Sequence, residues 1–304
     1  MQRYLCLLIV SLLFLSASGA WVAGRKVRVI TTNTTLADFV KQVGGDRVTV
    51  ESLAKGTQDL HYIEPRPSLV TKLRDADMLV INGLAFDIWI YPLIDSARNS
   101  KVVTGSVGFV DASMGVKPTE VPPGKVSMAQ GEVHPLGNPH YLLDPVRAKQ
   151  AVKNILDGLV RVSPADAATF RANYDKYIAA LDRKIQEWQK LMSPHKGKPV
   201  VTYHRSWNYF LERWGLDYFG TIEPKPAIPP SSGHVTRLMQ DMKARGVEVI
   251  LKEPYFPNKF PQLIAQETGA KLLVLPEWVG GKEGLDSYIQ LMDYLVKQVA
   301  DALS

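Results

Sequence analysis

The sequence predicts an α/β fold of two lobes, each a mostly parallel sheet flanked by helices, joined by one long rigid helix. Short β-branched segments alternate with helical patterns in both halves of the chain, and one uninterrupted helical pattern separates the halves. The length of 304 residues also exceeds the roughly 250 residues at which a single core stops growing. We therefore expect an N-terminal lobe over residues 25–162, the connecting helix over 163–194 and a C-terminal lobe over 195–304.

The overall composition is that of a globular protein. The chain is 46% hydrophobic and 22% charged, which excludes the disordered, collagen-like and coiled-coil classes. Its net charge of +6 is spread along the chain, without a run of five or more like charges, so we expect no nucleic-acid partner.

The first twenty residues have the three parts of a secretory signal peptide. A basic start at Arg3 leads into a mostly apolar stretch over residues 5–15, and small residues over 16–20 predict cleavage after Ala20. The apolar stretch is too short to cross about 30 Å of hydrocarbon with margin. The only cysteine, Cys6, lies inside this segment, so the mature chain can form no disulfide. We expect a soluble protein of a bacterial-type periplasm.

In the first half of the chain, β-branched runs mark strands, and apolar residues spaced by three or four mark helices. These patterns predict strands over residues 27–31, 48–53, 78–82 and 101–104, and helices over 35–43, 68–74 and 87–98. The alternation breaks over residues 111–139, which hold five prolines and four glycines without periodicity. We expect a long loop there, and loops of this length are usually functional or mobile.

Two helices are predicted at the centre of the chain, and each is preceded by residues that favour a helix N-terminus. Asp144 as N-cap and Pro145 at the first helical position open one helix, whose apolar side chains recur at helical spacing as far as Leu159. After Pro164 comes the longest helical pattern of the chain, about thirty residues or roughly 45 Å, which ends at Pro194.

The second half repeats the alternation of strands and helices. Strands are expected over residues 199–203, 216–222, 247–251 and 271–275, and helices over 205–214, 233–245, 257–268 and 285–302. Residues 223–230 contain four prolines and therefore cannot form a regular helix.

Five side chains that can bind a metal lie close to strand ends or to a helix start. The predicted strands of the C-terminal lobe are followed by His204, Glu253 and Glu277, while His61 follows the second strand and His140 precedes the helix N-cap. Ligands of open parallel sheets bind outside the carboxyl ends of the strands. All five side chains can therefore reach the rims of their lobes.

Three neutral imidazoles with a carboxylate or a water make a tetrahedral, nitrogen-rich site, which suits Zn²⁺ better than Ca²⁺ or Mg²⁺. His61, His140 and His204 are separated by 79 residues (61 to 140) and 64 residues (140 to 204), too many for a zinc finger. Any shared site must be assembled by folding and must draw on both lobes. His195 and His234 are interpreted as structural or solvent-facing, since one follows the long helix and the other lies in a first helical turn.

Four ordered motifs resemble the signatures of the periplasmic zinc/manganese-binding receptors of ABC importers. They are HYIEPRPS from His61, GNPHYLLDP from Gly137, HRSWNYF from His204 and IEPKPAIPP from Ile222, and the resemblance runs from about Lys26 to the C-terminus. The resemblance implies two α/β lobes bridged by one long helix, with the metal in the cleft between them.

The same resemblance implies a ligand set. The positions of His61, His140 and His204 are metal ligands in that family, and its manganese members carry a glutamate at the third position, so His204 favours Zn²⁺ over Mn²⁺. The usual fourth ligand, an aspartate after a late strand, is missing here. Glu253, Glu277 or a water can replace it, and we rank Glu253 ahead of Glu277 because its Glu-Pro pair is similar to one in the family.

The long loop departs from the family pattern as well. The corresponding segment is rich in histidine in many zinc receptors, whereas residues 111–139 hold only His134 before the motif of His140. A metal-scavenging role for this loop is therefore weak. Glu132 and His134 are expected to give at most a transient contact to an entering metal ion.

The function predicted from the sequence is capture and delivery of one Zn²⁺. The receptor binds the ion in the cleft between the lobes and passes it to an ABC importer permease, as a monomer and without catalysis. One alternative is a zinc-dependent hydrolase with a three-histidine site and Glu253 or Glu277 as general base. The chain lacks a His-Glu-x-x-His helix and nucleophile or oxyanion motifs that would support it. Another alternative is a metal-binding adhesin, which genetic proximity to a permease and an ATPase would distinguish.

Overall fold

Two four-stranded parallel sheets organise the computed structural model, one in each half of the chain. The structure describes residues 25–124, 134–225 and 227–304. The signal peptide predicted over residues 1–20 lies outside the described residues. In the described part of the chain, no helix combines the length and the apolar character needed to cross a membrane.

The first sheet has the strand order β2-β1-β3-β4, and all its neighbouring strands run parallel. Its strands are β1 (Val27–Thr31), β2 (Val48–Ser52), β3 (Met78–Ile81) and β4 (Phe109–Asp111). The helices of this half are α1 (Thr34–Gly44), α2 (Pro67–Arg74), α3 (Tyr91–Ala97) and α4 (Pro145–Val162). The side chain of Asp144 accepts the N–H of Val146, so the predicted N-cap of α4 is confirmed.

The second sheet repeats this order as β6-β5-β7-β8, again entirely parallel. Its strands are β5 (Pro199–Thr202), β6 (Asp217–Thr221), β7 (Val249–Lys252) and β8 (Lys271–Val274). The helices are α5 (Ala167–Met192), α6 (Asn208–Trp214), α7 (Ser232–Arg245), α8 (Lys259–Thr268) and α9 (Tyr288–Leu303). The predicted fold class is therefore confirmed.

The long helix α5 has 26 residues and continues as a 3₁₀ turn at each end. Its buried stripe of Phe170, Tyr177, Leu181, Trp188 and Met192 contacts α1 and α4 of the first half and α9 of the second. A single hydrophobic core therefore runs through both halves of the molecule, and a smaller second cluster lies around Val201 and Ile250. The lobe boundaries expected at residues 162 and 195 stay a prediction.

One predicted strand is wrong. Residues 101–104 form turns, and the fourth strand of the first sheet is instead β4, which pairs with β3. Val102 is fully buried, so its apolar character reflects a turn that packs on the core rather than a strand. The chain approaches the sheet edge closely at Gly108. A Cβ at this position would lie 2.2 Å from the carbonyl oxygen of Asp77, and glycine avoids the clash because it has no Cβ.

The helix predicted over residues 87–98 is shorter than expected. Ile88–Ile90 form a 3₁₀ turn, and α3 starts only at Tyr91, with Pro92 in its first turn. The helix ends because Arg98 adopts a left-handed conformation with φ of 53°.

Candidate metal centre

The three histidines predicted as ligands lie on short turns at the carboxyl ends of the sheets. His61 sits in a 3₁₀ turn, Leu60–Tyr62, whose N-cap Asp59 accepts the backbone N–H of His61 at 3.0 Å. His140 directly precedes the 3₁₀ turn Tyr141–Leu143, and His204 precedes the turn Arg205–Trp207 just after β5.

The fold brings these three rings to one point. The ring centroids of His61 lie 5.3 Å from those of both His140 and His204, and the centroids of His140 and His204 are 5.6 Å apart. One ring nitrogen of each histidine lies within 4.8 Å of the others. Two imidazoles bound to one tetrahedral Zn²⁺ through bonds of about 2.0–2.1 Å place their ring centres roughly 5 Å apart. The cluster therefore has the spacing that a shared ion requires.

Each of the three histidine rings has a carboxylate oxygen within hydrogen-bond distance of its Nδ1 atom. The Nδ1 atoms lie 2.7 Å from Oδ1 of Asp59 for His61, 2.5 Å from Oε1 of Glu277 for His140, and 2.6 Å from Oε2 of Glu223 for His204. A carboxylate at Nδ1 fixes the tautomer that leaves Nε2 unprotonated and makes the ring a stronger metal ligand. Among the described residues, neither Nε2 of His61 nor Nε2 of His140 has a hydrogen-bond partner, although both atoms are buried.

The electrostatics of the cluster differ from ring to ring. Burial lowers the pKa of His140 well below its ordinary value, and the nearby rings of His61 and His204 lower it further. Burial also acts to lower the pKa of His204, but the hydrogen bond to Glu223 and the charge of Glu253 outweigh it and raise that pKa. His140 therefore stays neutral to a lower pH than an ordinary histidine, whereas His204 keeps its second ring proton up to a higher pH, and that proton competes with a metal ion for the ring nitrogen.

The two carboxylates predicted as a fourth ligand are both buried in this region. Glu277 uses Oε1 for His140 and accepts the hydroxyl of Tyr255 at 2.7 Å with Oε2. Glu253 is fully buried, and within the described ranges neither of its oxygens has a hydrogen-bond partner. Burial raises the pKa of Glu253 to about 8 and that of Glu277 to about 7. Neither residue contributes an oxygen to the group of atoms within 4.8 Å, so a carboxylate fourth ligand stays a prediction.

His134, at the end of the long loop, also reaches the cluster. Its ring centroid lies 5.3 Å from that of His61 and 5.8 Å from that of Phe86. Burial, followed by the neighbouring imidazoles, lowers the pKa of His134 to about 2, so the ring is neutral. Glu132, its expected companion, lies outside the described residues. His195 and His234 do not join the metal-binding group of the described chain, and Nε2 of His234 bonds to the carbonyl oxygen of Thr221 at 3.0 Å.

Three functional contacts were missed in the sequence. Asp59 lies two residues before His61 and received no role in the sequence analysis, and Glu223 lies in the motif that begins at Ile222 but received no role either. Tyr255 follows the Glu-Pro pair of Glu253, but nothing local links it to Glu277. The spacing of Asp59 and His61 is the one signal that could have revealed a carboxylate–histidine pair.

A cavity of about 400 Å³ opens beside the cluster and is lined in part by His61 and His204. Its other walls include Tyr203 and Phe256, whose rings stack with centroids 4.6 Å apart. Two of the three histidines of the cluster therefore line this cavity.

Two parallel-sheet lobes joined by a long helix, with a buried cluster of imidazoles drawn from both, define a metal-binding receptor. More particularly, the chain belongs to the family described as zinc-uptake complex component A, periplasmic (ZnuA), which matches residues 29–302. The resemblance seen in the sequence motifs is thereby confirmed at the level of the family.

Individual relatives can be aligned with nearly the whole chain. The high-affinity zinc uptake system protein ZnuA of Bacillus subtilis (strain 168) is 29% identical over 284 residues, which cover 92% of this chain and 87% of that protein. The iron-binding protein YfeA of Yersinia pestis is 26% identical over 287 residues, covering 91% and 86%. A crystal structure of ZnuA superimposes with a TM-score of 0.77 at 23% identity, covering 92% of this chain and all of the other, which shows a shared fold.

Proposed function

We propose that this protein captures one Zn²⁺ in the cleft between its lobes and delivers it to an ABC importer permease. The observation that supports this most directly is the meeting of His61, His140 and His204, each with a carboxylate at Nδ1, in a chain of the zinc-uptake family. Nitrogen ligands of this kind suit Zn²⁺ better than Mn²⁺, which prefers oxygen ligands.

Zn²⁺ is the cargo of this site and not a resident cofactor. The hydrated ion approaches through the cavity beside His61 and His204 and exchanges water for Nε2 atoms. The carboxylates of Asp59, Glu223 and Glu277 accept the Nδ1 protons and balance part of the charge that the ion brings.

We infer that the mature protein works outside the cytoplasm, as a monomer, after removal of residues 1–20. The family description as a periplasmic component supports this location. We also infer that the protein is not an enzyme. The family, which is a component of zinc uptake, supports this inference, as does a sequence without a His-Glu-x-x-His motif. The adhesin alternative has a structural neighbour in the laminin-binding adhesin Lmb of Streptococcus agalactiae, but a likeness at 23% identity and a TM-score of 0.77 supports a shared fold alone.

The test is native mass spectrometry with metal analysis of protein purified from the periplasm. We expect one zinc per chain in preference to manganese or iron. Each of the replacements His61→Ala, His140→Ala and His204→Ala should lower zinc affinity by more than about 100-fold. Loss of a ligand costs more affinity than loss of the carboxylate that is hydrogen-bonded to a ligand, which typically costs about 10- to 100-fold. His195→Ala is the control and should leave the affinity unchanged. Manganese in place of zinc, or full affinity in all three variants, would refute the proposal.

A further inference from the structure

We propose that a cavity between three helices, separate from the metal centre, binds a small organic carboxylate. The cavity has a volume of about 260 Å³ and lies where the end of α1, the amino-terminal half of α5 and the start of α9 meet. None of the three clustered histidines lines it. The inference does not rest on the proposed function, because it concerns other residues and another ligand.

Tyr177 brings a hydroxyl without a partner to this cavity. The residue lines the cavity and is only 6% exposed, and among the described residues no group forms a hydrogen bond with its hydroxyl oxygen. Burial raises the pKa of Tyr177 well above its ordinary value, so the phenol keeps its proton and can donate it. Buried polar groups are normally paired, because an unpaired one has lost its water without compensation. An acceptor oxygen of a ligand would supply the missing partner.

The charge of the cavity wall favours an anion. Lys176 lines the cavity and forms no ion pair within the described part of the chain. Aspartate and glutamate are absent from the described residues of the lining. The buried carboxylate of Asp38 is already engaged, since Oδ1 accepts a hydrogen bond from Nε2 of Gln42 at 3.0 Å and Oδ2 accepts one from the N–H of Tyr288 at 2.8 Å. A ligand carboxylate would therefore meet a lysine that no protein acid occupies.

The start of α9 adds a backbone donor. The N–H groups of Tyr288 and Gln290 are engaged, the first with Asp38 and the second with the hydroxyl of Ser287 at 3.3 Å. The N–H of Ile289, between them, has no partner among the residues that the structure describes, and Ile289 lines the cavity. Unpaired N–H groups and the dipole of a helix N-terminus favour an anion. This end of α9 therefore adds to the positive potential of the cavity.

The apolar part of the wall favours an organic acid over an inorganic oxyanion. Ala180 of α5 and Ile289 of α9 belong to the lining together with the polar residues. Apolar groups of a ligand gain free energy when they leave water for such a wall, whereas inorganic phosphate has no apolar group to place there. The lining therefore fits a carboxylate that carries a short apolar chain.

The experiment is a proton–nitrogen NMR titration of the mature protein with sodium butyrate as the probe. We expect the backbone amide signals of Ile289 and its neighbours to shift saturably, and the titration curve gives the dissociation constant. Butylammonium chloride has the same chain with the opposite charge, and inorganic phosphate has negative charge without the chain. Both should bind at least about 10-fold more weakly than butyrate, since each lacks one of the two features that the lining recognises.

Tyr177→Phe is the decisive variant. It removes only a hydroxyl that has no partner in the described structure, so the protein should fold as before. Its butyrate affinity should fall about 10-fold or more, because a hydrogen bond to a charged group is lost. Lys176→Gln should lower the affinity about 2- to 5-fold, as expected for an exposed cation. Lys190→Gln removes the same charge from another exposed position of α5, so this matched control should bind butyrate like the wild type.

The outcomes separate this inference from the proposed function. No saturable shift near Ile289, or equal butyrate affinity in Tyr177→Phe and the wild type, overturns the inference. Phosphate that binds as tightly as butyrate overturns the assignment of an organic carboxylate. If Tyr177→Phe does not fold, equal affinities in Lys176→Gln and Lys190→Gln overturn the inference instead. Protein that binds butyrate at this cavity but binds no zinc would refute the proposed function and leave the inference standing.

Discussion

Glu223 lies 2.6 Å from Nδ1 of His204, and similar contacts join Asp59 to His61 and Glu277 to His140. At the scale of single residues, these pairs decide which nitrogen of each ring can meet a metal ion. The pairing also makes the histidines unequal, since the pKa of His204 is raised while that of His140 is lowered. A set of three equivalent imidazoles, as the sequence alone indicates, is therefore an incomplete description of the site.

Replacing Glu223 by glutamine should lower zinc affinity about 10- to 100-fold. The amide can still accept the Nδ1 proton of His204, but it lacks the negative charge that strengthens the ring as a ligand. Competition titration with a chelator measures the effect. Glu64→Gln is the control, because the side chain of Glu64 is 76% exposed and pairs only with Arg66 in the described structure. A loss of equal size in both variants would contradict a specific role for Glu223.

Zinc affinity should fall as the pH drops through the pKa of His204, which lies above the ordinary value of 6.5. Below that pKa the ring carries a proton that zinc must displace, and above it the proton is absent, so acid weakens binding. Isothermal titration at about pH 7.5 and about pH 5.5 should show the weaker binding at the lower pH. In Glu223→Gln the decline should move to lower pH. Equal affinity at both values would argue against histidine ligation.

At the scale of elements, α4 packs closely on the first sheet through Gly158. A Cβ at this position would lie 2.4 Å from Cγ2 of Val110 in β4. This contact depends on β4, which begins at residue 109, eight residues after the start of the strand predicted at residue 101 from the β-branched Val102 and Val103. The local sequence shows an apolar segment at residues 101–104, but the segment that pairs with β3 is residues 109–111.

Gly158→Ala should therefore destabilise the protein by about 1–2 kcal/mol. Overpacking of a core contact costs about 1–3 kcal/mol, and alanine returns up to about 1 kcal/mol through its better helix propensity. Gly233→Ala in α7 is the matched control, because a Cβ there meets nothing within 4 Å. Urea denaturation should show the opposite sign for this control, a gain of about 0.4–1 kcal/mol. Equal stabilisation by both substitutions would mean that α4 does not contact β4 as described.

At the scale of the whole molecule, contacts between distant segments hold the two halves together around the site. The hydroxyl of Thr34 donates to the carbonyl oxygen of Val279 at 2.6 Å, and the hydroxyl of Tyr288 donates to that of Leu142 at 2.7 Å. Asp144, fully buried at the start of α4, accepts two hydrogen bonds from Arg213 of α6 at 2.6 and 2.8 Å. These contacts fix the relative position of the elements that carry His140 and His204.

Asp144→Ala should lower the free energy of unfolding by about 3 kcal/mol and weaken zinc binding as well. The substitution removes the N-cap of α4 and leaves the guanidinium groups of Arg147 and Arg213 without their shared partner. Chemical denaturation and zinc titration measure the two effects. Asp157→Ala removes an exposed pair with Lys153 and should cost only about 0.3–0.5 kcal/mol, with normal zinc affinity. If Asp144→Ala has normal stability, the contact between Asp144 and Arg213 is not important for joining the two halves of the molecule.

Several features of the protein were determined by its sequence alone. The strand Val27–Thr31, the N-cap at Asp144 and the long helix agree with patterns that extend over only a few neighbouring residues. The family was visible for a related reason, since its four motifs are short and ordered along the chain. Local spacing and side-chain chemistry are sufficient for such conclusions because periodicity and capping act over one or two turns.

Only the tertiary structure decided how the site is built. The carboxylate that holds His140 lies 137 residues further along the chain, and the ring that approaches His61 from the loop belongs to His134. No local pattern reports such meetings, because they depend on how both sheets and the long helix pack. That packing also decides which ring nitrogen of His61 and of His140 is left without a hydrogen-bond partner. In the described structure it leaves both side-chain oxygens of Glu253 without a partner as well.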